Sequence, residues 1–200
     1  MFSALTAKIN QKNMEIIWHG KTCFTVNNKE ASVVVNPHEG IEGLKADVVL
    51  SSLGAENLSE VKGSVKTLDW PGEYEVKGIP ITATPFADTL IFYFEVGGVR
   101  MCHLGDIDRV PSNELLQEIG DIEVLMIPIG EGTKMDNKKA NEIIETVEPK
   151  IIIPMGCESP AAALKSMGVD NIEPREKLEI KAKSEMPADH MEYVALSLSP

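Results

Sequence analysis

A stretch of mostly small and polar residues, LSSLGAEN at positions 50–57, follows the apolar pair Val48-Val49 and could carry chemistry. Small polar residues just beyond a buried strand are a common place for catalytic groups in α/β proteins. Ser51 and Ser52 raise the hypothesis of a nucleophile, but the sequence offers no G-x-S-x-G elbow and no plausible base beside them. The simpler prediction is capping of a short helical turn through LSEVKG by Glu56, Asn57 or Ser59.

Few other side chains could bind a metal or transfer a proton. Asp106 lies in HLGDI, and Cys157 follows PMG with no basic neighbour to lower its pKa, so we expect an inert core thiol. Among the four histidines, His103 lies on a strand that should be buried, which favours a structural role, and we expect His19 to serve packing. His190 lies in the polar turn EMPADH and is expected to be solvated.

The residue pattern predicts short strands in the first half of the chain and strands that alternate with helices in the second half. These elements must position the residues named above. Gly97 and Gly98 predict a two-residue hairpin turn. Helices are predicted after three capping residues, Ser112, Asp136 and Ser159, the last followed by Pro160 at the first helical position. This order predicts an α+β fold, with two mixed β-sheets packed together and flanked by helices. We expect a polar N-terminal extension over residues 1–13 and a single domain over 14–200.

Several stretches, taken in order over residues 14 to 198, resemble the metallo-β-lactamase fold superfamily, and within it the small zinc-dependent hydrolases related to L-ascorbate-6-phosphate lactonase. The matching pieces are IIWHGKTCFTV, ADVVLSS, WPGEYEVKGIPI, VRMCHLGDI, IEVLMIPIG and EPKIIIPMG. This resemblance implies a four-layer αββα sandwich with the active site at one edge. It also implies one or two divalent metals that lower the pKa of a bound water.

The metal ligands of that family do not carry over onto this chain. Ser51 takes the place of the threonine in the family's T-H-x-H-x-D-H motif, and Asp106 keeps the aspartate of the G-D element. We call the positions where relatives carry ligands the predicted metal-site positions; they are Ser52, Gly54, Glu56, Asn57, Ala87, Asp106 and Gly156. Three of them have no donor atom in their side chains, so the pattern predicts that an intact dinuclear site is lost.

A makeshift site for one Zn or Mn ion is the alternative. It would use Asp106 and Glu56, with Cys157 and His38 as further candidates, because His38 in NPHEG follows the family's D-P element at the site rim. If no metal binds, we expect Asp106→Asn to leave stability unchanged or improved, since a former ligand would be a carboxylate without its cation.

Charge and cysteine content bear on partners and compartment. A net charge of −12 and a pI of about 4.8 disfavour nucleic acid and anionic membranes as partners. Three widely spaced cysteines without a CxxC pair favour a reducing cytoplasm. Residues 1–17 contain no continuous apolar stretch, so we expect no export signal.

The leading hypothesis is therefore a degenerate, non-catalytic member of the family, without a cofactor, that acts by binding or assembly with an unknown protein or small molecule. Assembly into a homo-oligomer stays open. The competing hypothesis is a hydrolase of lactones or phosphoesters with an altered mononuclear site.

Overall fold

The computed structural model describes residues 13–54 and 58–199. These residues form thirteen strands, three α-helices and one 3₁₀ helix. The strands are β1 Met14–Trp18, β2 Phe24–Asn27, β3 Ser32–Val35, β4 Val48–Leu50, β5 Lys66–Leu68, β6 Gly72–Val76, β7 Ile79–Phe86, β8 Thr89–Val96, β9 Val99–His103, β10 Val124–Pro128, β11 Ile151–Met155, β12 Leu178–Ile180 and β13 Glu192–Tyr193. The helices are α1 Asn113–Ile119, α2 Asn137–Val147 and α3 Pro160–Ser166, and the 3₁₀ helix is Lys183–Glu185.

The strands form two mixed sheets. The six-stranded sheet has the order β12-β1-β2-β3-β4-β5, and the seven-stranded sheet has the order β13-β11-β10-β9-β8-β7-β6. Pairing is parallel from β3 to β5 and among β9, β10, β11 and β13, and antiparallel elsewhere. The predicted α+β fold of two mixed sheets with helices is therefore confirmed.

Alternating side chains of β3 pack on opposite faces of the first sheet. Val33 and Val35 belong to the main core between the sheets, whereas Val34 belongs to a second cluster with Cys23, Leu44 and Ala46. This alternation follows from the two-residue period of a strand. The segment around residues 41–46 thus covers the outer face of this sheet.

The helix starts and the central hairpin lie where the sequence predicts them. Ser112, Asp136 and Ser159 each accept a hydrogen bond from the backbone N–H three residues further on. Gly97 and Gly98 connect β8 to β9 with φ of 60° and 84°, as a type I′ turn requires.

One local prediction differs from the structure. The helical turn predicted through LSEVKG is wrong, because residues 58–63 are not helical and Ser59 Oγ instead donates to the His38 carbonyl.

The carboxyl ends of β9, β10 and β11, which pair in parallel, open onto one edge of the sandwich. The loop after β4 of the other sheet reaches the same edge, since the Leu90 N–H donates to the Ser52 carbonyl at 2.9 Å. Loops at such ends carry the ligand sites of open α/β sheets. No helix in the described part of the chain is both long enough and apolar enough to span a bilayer.

Candidate functional site

Five of the predicted metal-site positions lie at this edge. Ser52 and Gly54 follow β4, Ala87 lies in the turn between β7 and β8, Asp106 follows β9, and Gly156 follows β11. Contacts link the loops, since Thr89 Oγ1 donates to the Ser52 carbonyl at 3.1 Å. Glu56 and Asn57 lie outside the described residues.

Ser52, which takes the place of a metal-binding histidine of the family pattern, is held by hydrogen bonds to an asparagine. Its backbone N–H donates to Asn36 Oδ1 at 2.7 Å, and Asn36 Nδ2 donates to Ser52 Oγ at 2.7 Å and to Thr22 Oγ1 at 3.1 Å. Asn36 has a left-handed backbone with φ of 48°, which asparagine tolerates better than most residues. The side chain of Ser52 is thus engaged in a buried polar network.

Asp106 is paired with a lysine. Lys134 Nζ, from the loop after β10, lies 2.8 Å from Asp106 Oδ2. The hydrogen bond to Asp106 raises the pKa of Lys134, and the charges of Asp106, Asp108 and Asp88 act in the same direction. An ammonium group therefore stands beside the one carboxylate that the family pattern retains among the described positions.

The backbone at the three positions without donor atoms also disfavours longer side chains. Gly54, Ala87 and Gly156 have φ of 87°, 51° and 77°, in the left-handed region. At Gly156 a Cβ atom would lie 3.2 Å from Thr133 Cγ2, so a histidine there would be strained and crowded.

A shallow cavity of about 200 Å³ lies beside the Asp106–Lys134 pair. It is lined by Leu53, Ala87, Asp88, Thr89, Asp106, Ile107, Asp108, Arg109 and Lys134. Arg109 is 3.5 Å from Asp108 and its guanidinium lies 5.6 Å from the centre of the Phe86 ring. Each cation of the cavity is thus already paired with a carboxylate.

His103 is a structural residue, as the sequence predicts. It is fully buried, its Nε2 lies 3.0 Å from the Thr22 carbonyl, and Gly105 N–H lies 3.1 Å from its Nδ1. Burial lowers the pKa of His103 to about 4, so the ring is neutral and uses both nitrogens to join the opening loop to the turn before Asp106.

The other candidate ligands lie in separate surroundings. Burial raises the pKa of the Cys157 thiol to about 11, consistent with an inert core residue. His38 is half-buried with Nε2 enclosed near Gly20, and it does not line the cavity. His19 Nε2 bonds to Thr25 Oγ1, and His190 is exposed, as predicted.

The donor set that the described residues offer does not fit the divalent metal that the family resemblance implies. Asp106 has an ammonium partner, the Ser52 hydroxyl is bound to Asn36, and Gly54, Ala87 and Gly156 offer no donor. Within residues 13–54 and 58–199, no three His, Cys, Asp or Glu side chains converge as a metal site would require.

Sequence reasoning missed Lys134 and Asn36. Lysine is not a metal-ligand residue type, and in NPHEG the more obvious ligand candidate is His38. Lys134 follows β10, which pairs in parallel with β9 and ends at the same edge, and this pairing brings the lysine to Asp106.

Comparisons with known proteins agree with the fold. Residues 15–156 match the family described as Beta-lactamase superfamily domain. A UPF0173 protein of Pyrococcus abyssi is 23% identical over 175 residues, spanning 71% of this chain and 82% of that protein. A UPF0173 metal-dependent hydrolase of Carboxydothermus hydrogenoformans is 41% identical over 64 residues, 32% of this chain and 28% of that protein. A crystal structure from Thermotoga maritima, assigned to the Zn-dependent hydrolases of the metallo-beta-lactamase superfamily, has a TM-score of 0.80 at 30% identity and covers 92% of this chain and 98% of that one.

Proposed function

This chain belongs to the family described as Beta-lactamase superfamily domain, and its relatives include proteins named metal-dependent hydrolases. We propose that it is a member that has lost its metal site and that it acts by binding or assembly. The described residues at its predicted metal-site positions offer one carboxylate and no imidazole. A catalytic zinc needs three protein ligands and an open position for water.

The Asp106–Lys134 pair carries the proposal. A metal ion bound at Asp106 would have to displace an ammonium held at 2.8 Å, or bind beside it against charge repulsion. Lys134 therefore supplies the Asp106 carboxylate with the positive charge that a metal ion would otherwise supply.

A second candidate is a hydrolase of lactones or phosphoesters with an altered mononuclear site at Asp106 and Glu56. The observation in its favour is the set of relatives named metal-dependent or Zn-dependent hydrolases. Glu56 lies outside the described residues, and its carboxylate would be the essential second ligand.

We also propose that the protein works in a reducing compartment, the cytoplasm. Cys23, Cys102 and Cys157 are free and buried, and burial raises the pKa of the Cys23 thiol to about 12. Such thiols neither pair nor react readily.

Hydrolysis assays separate the two candidates. Protein produced without a histidine tag is assayed with lactone and phosphoester substrates, with zinc or manganese added, beside Asp106→Ala as the matched background. We expect identical rates for both proteins. Activity that depends on both metal and Asp106 would establish the hydrolase instead.

A further inference from the structure

Two edge strands that follow one another in the chain lie close together at one side of the sandwich. β5 is the last strand of the six-stranded sheet, β6 is the last strand of the seven-stranded sheet, and residues 69–71 join them. Lys66 Nζ on β5 lies 5.0 Å from the centre of the Tyr74 ring on β6. Within the described chain, β6 pairs with β7 alone, so its outer backbone edge is free to accept another strand.

Trp70 stands at the start of this free edge. Its side chain is 73% exposed, which is unusual for the residue type most enriched among binding hot spots. The turn that carries it is held in place, because the Tyr74 hydroxyl donates to the Trp70 carbonyl at 3.0 Å and the Tyr74 ring packs against Gly72. An aromatic side chain on a fixed turn loses little backbone freedom when a partner binds.

The solvent face of β6 is acidic. Glu73 and Glu75 are exposed and alternate with Tyr74 and Val76, which turn toward the protein. Neither glutamate has an ion-pair partner among the described residues. A strand added beside β6 would therefore place alternate side chains opposite these two carboxylates.

We propose that the free edge of β6, with Trp70 as its anchor, binds an extended basic segment of a partner protein, which adds as a further strand to the seven-stranded sheet. The backbone edge would give affinity, and Glu73 and Glu75 would select lysine or arginine at alternate positions. This names a partner class for the binding role and so rests on the proposed function.

A second copy of this chain fits the edge poorly. Antiparallel pairing of β6 with its own copy would bring Glu73 and Glu75 against each other, and each copy carries a net charge of −12. Charge complementarity therefore favours a basic partner over self-association.

The test uses two capped peptides about nine residues long, one alternating lysine with valine and the other alternating glutamate with valine. Tryptophan emission reports binding directly, because Trp18 is buried and Trp70 is exposed. We expect the lysine peptide to shift the emission to shorter wavelengths at low salt, and the glutamate peptide to have no effect.

Variants are compared by anisotropy of the labelled peptide. We expect Trp70→Ala to weaken binding of the lysine peptide at least about tenfold, and Glu73→Lys with Glu75→Lys to reverse the preference between peptides. Leu198→Ala is the matched control, since Leu198 is apolar and 63% exposed on the C-terminal tail. Thermal unfolding checks that every variant is folded.

Failure to bind the lysine peptide, equal binding of both peptides, or binding unaffected by Trp70→Ala would overturn this inference. So would a dimer that Trp70→Ala dissociates. The metal bound to the same protein samples is counted in parallel. Metal binding that requires Asp106 would overturn the proposed function, whatever the result with the peptides.

Discussion

Asp106 is the residue for which the structure most changes the sequence expectation. If no metal binds, the sequence predicts that Asp106→Asn leaves stability unchanged or improved, because a former ligand would be a carboxylate without its cation. The structure supplies a cation in Lys134, so the reason for a gain is removed.

We now expect Asp106→Asn to give no gain, and at most a small loss, because both partners are accessible to solvent that screens their attraction. Urea unfolding of Asp106→Asn, Lys134→Gln and the double variant measures the coupling between them. A loss as large as that of a core substitution would contradict this expectation and indicate a structural role for the carboxylate.

His103 should make stability depend on pH. Its pKa is lowered to about 4 in the folded protein by burial, so below the ordinary histidine pKa the unfolded chain binds more protons than the folded one. We expect stability to fall as the pH drops from about 6.5 toward about 4. In His103→Asn, urea unfolding over this range should show a weaker pH dependence, although this variant is less stable at pH 7. An unchanged slope would contradict the assignment.

At the scale of elements, buried Glu123 joins the sheet to the 3₁₀ helix. Its carboxylate accepts from the Arg100 backbone N–H at 2.8 Å and lies 2.8 Å from Lys183 Nζ. Burial by itself raises the pKa of Glu123, but the hydrogen bonds from Lys183 and Arg100 outweigh it, and the pKa lies below its ordinary value.

Glu123→Gln should therefore lose about 1–3 kcal/mol at neutral pH, because it removes the charged acceptor of a buried network. Because the folded pKa is depressed, the advantage of the parent should be complete above the ordinary glutamate pKa and should shrink as the pH falls below it. Urea unfolding of both proteins at neutral pH and at a pH below the ordinary glutamate pKa measures this difference. Asp121→Asn is the control, since Asp121 is 96% exposed at 3.9 Å from Arg100; an equal loss there would argue against a special role for Glu123.

Helix α3 packs directly on Gly130, in the loop after β10. A Cβ atom at position 130 would lie 2.6 Å from Ala163 Cβ, and φ is 102°. We expect Gly130→Ala to lose about 1–3 kcal/mol from overpacking. Gly168→Ala, with φ of 85° and open space around it, measures the conformational cost alone. Equal losses in the two variants would show that the close approach costs nothing.

The elements could be predicted where local chemistry decides them. Capping by Ser112 and Asp136 and the Gly97-Gly98 turn depend on neighbours in sequence. Strand β5 has no sequence signal of its own, because Lys66–Leu68 are mostly exposed and form a strand only by pairing with β4. Ser59 does not cap a helix, because its hydroxyl donates to the carbonyl of His38, which is distant in sequence.

At the scale of the whole molecule, the family resemblance implies that the site lies at one edge of the sandwich. Five of the predicted metal-site positions, all those that the structure describes, lie at one edge. Lys134 could not be placed from sequence, because its meeting with Asp106 depends on two loops 28 positions apart in numbering that converge only when β9 and β10 pair in parallel. The residue types alone show that Gly54, Ala87 and Gly156 have no side-chain donor atom, whereas the pairing of Lys134 with Asp106 requires the structure.

The most direct test of the proposal that this chain has lost its metal site is a count of bound metal. Protein purified without a histidine tag is loaded with zinc or manganese, exchanged into metal-free buffer and analysed by native mass spectrometry. We predict a mass equal to that of the chain alone, for the parent and for Asp106→Ala alike. One metal ion per chain in the parent, absent from Asp106→Ala, would contradict the account.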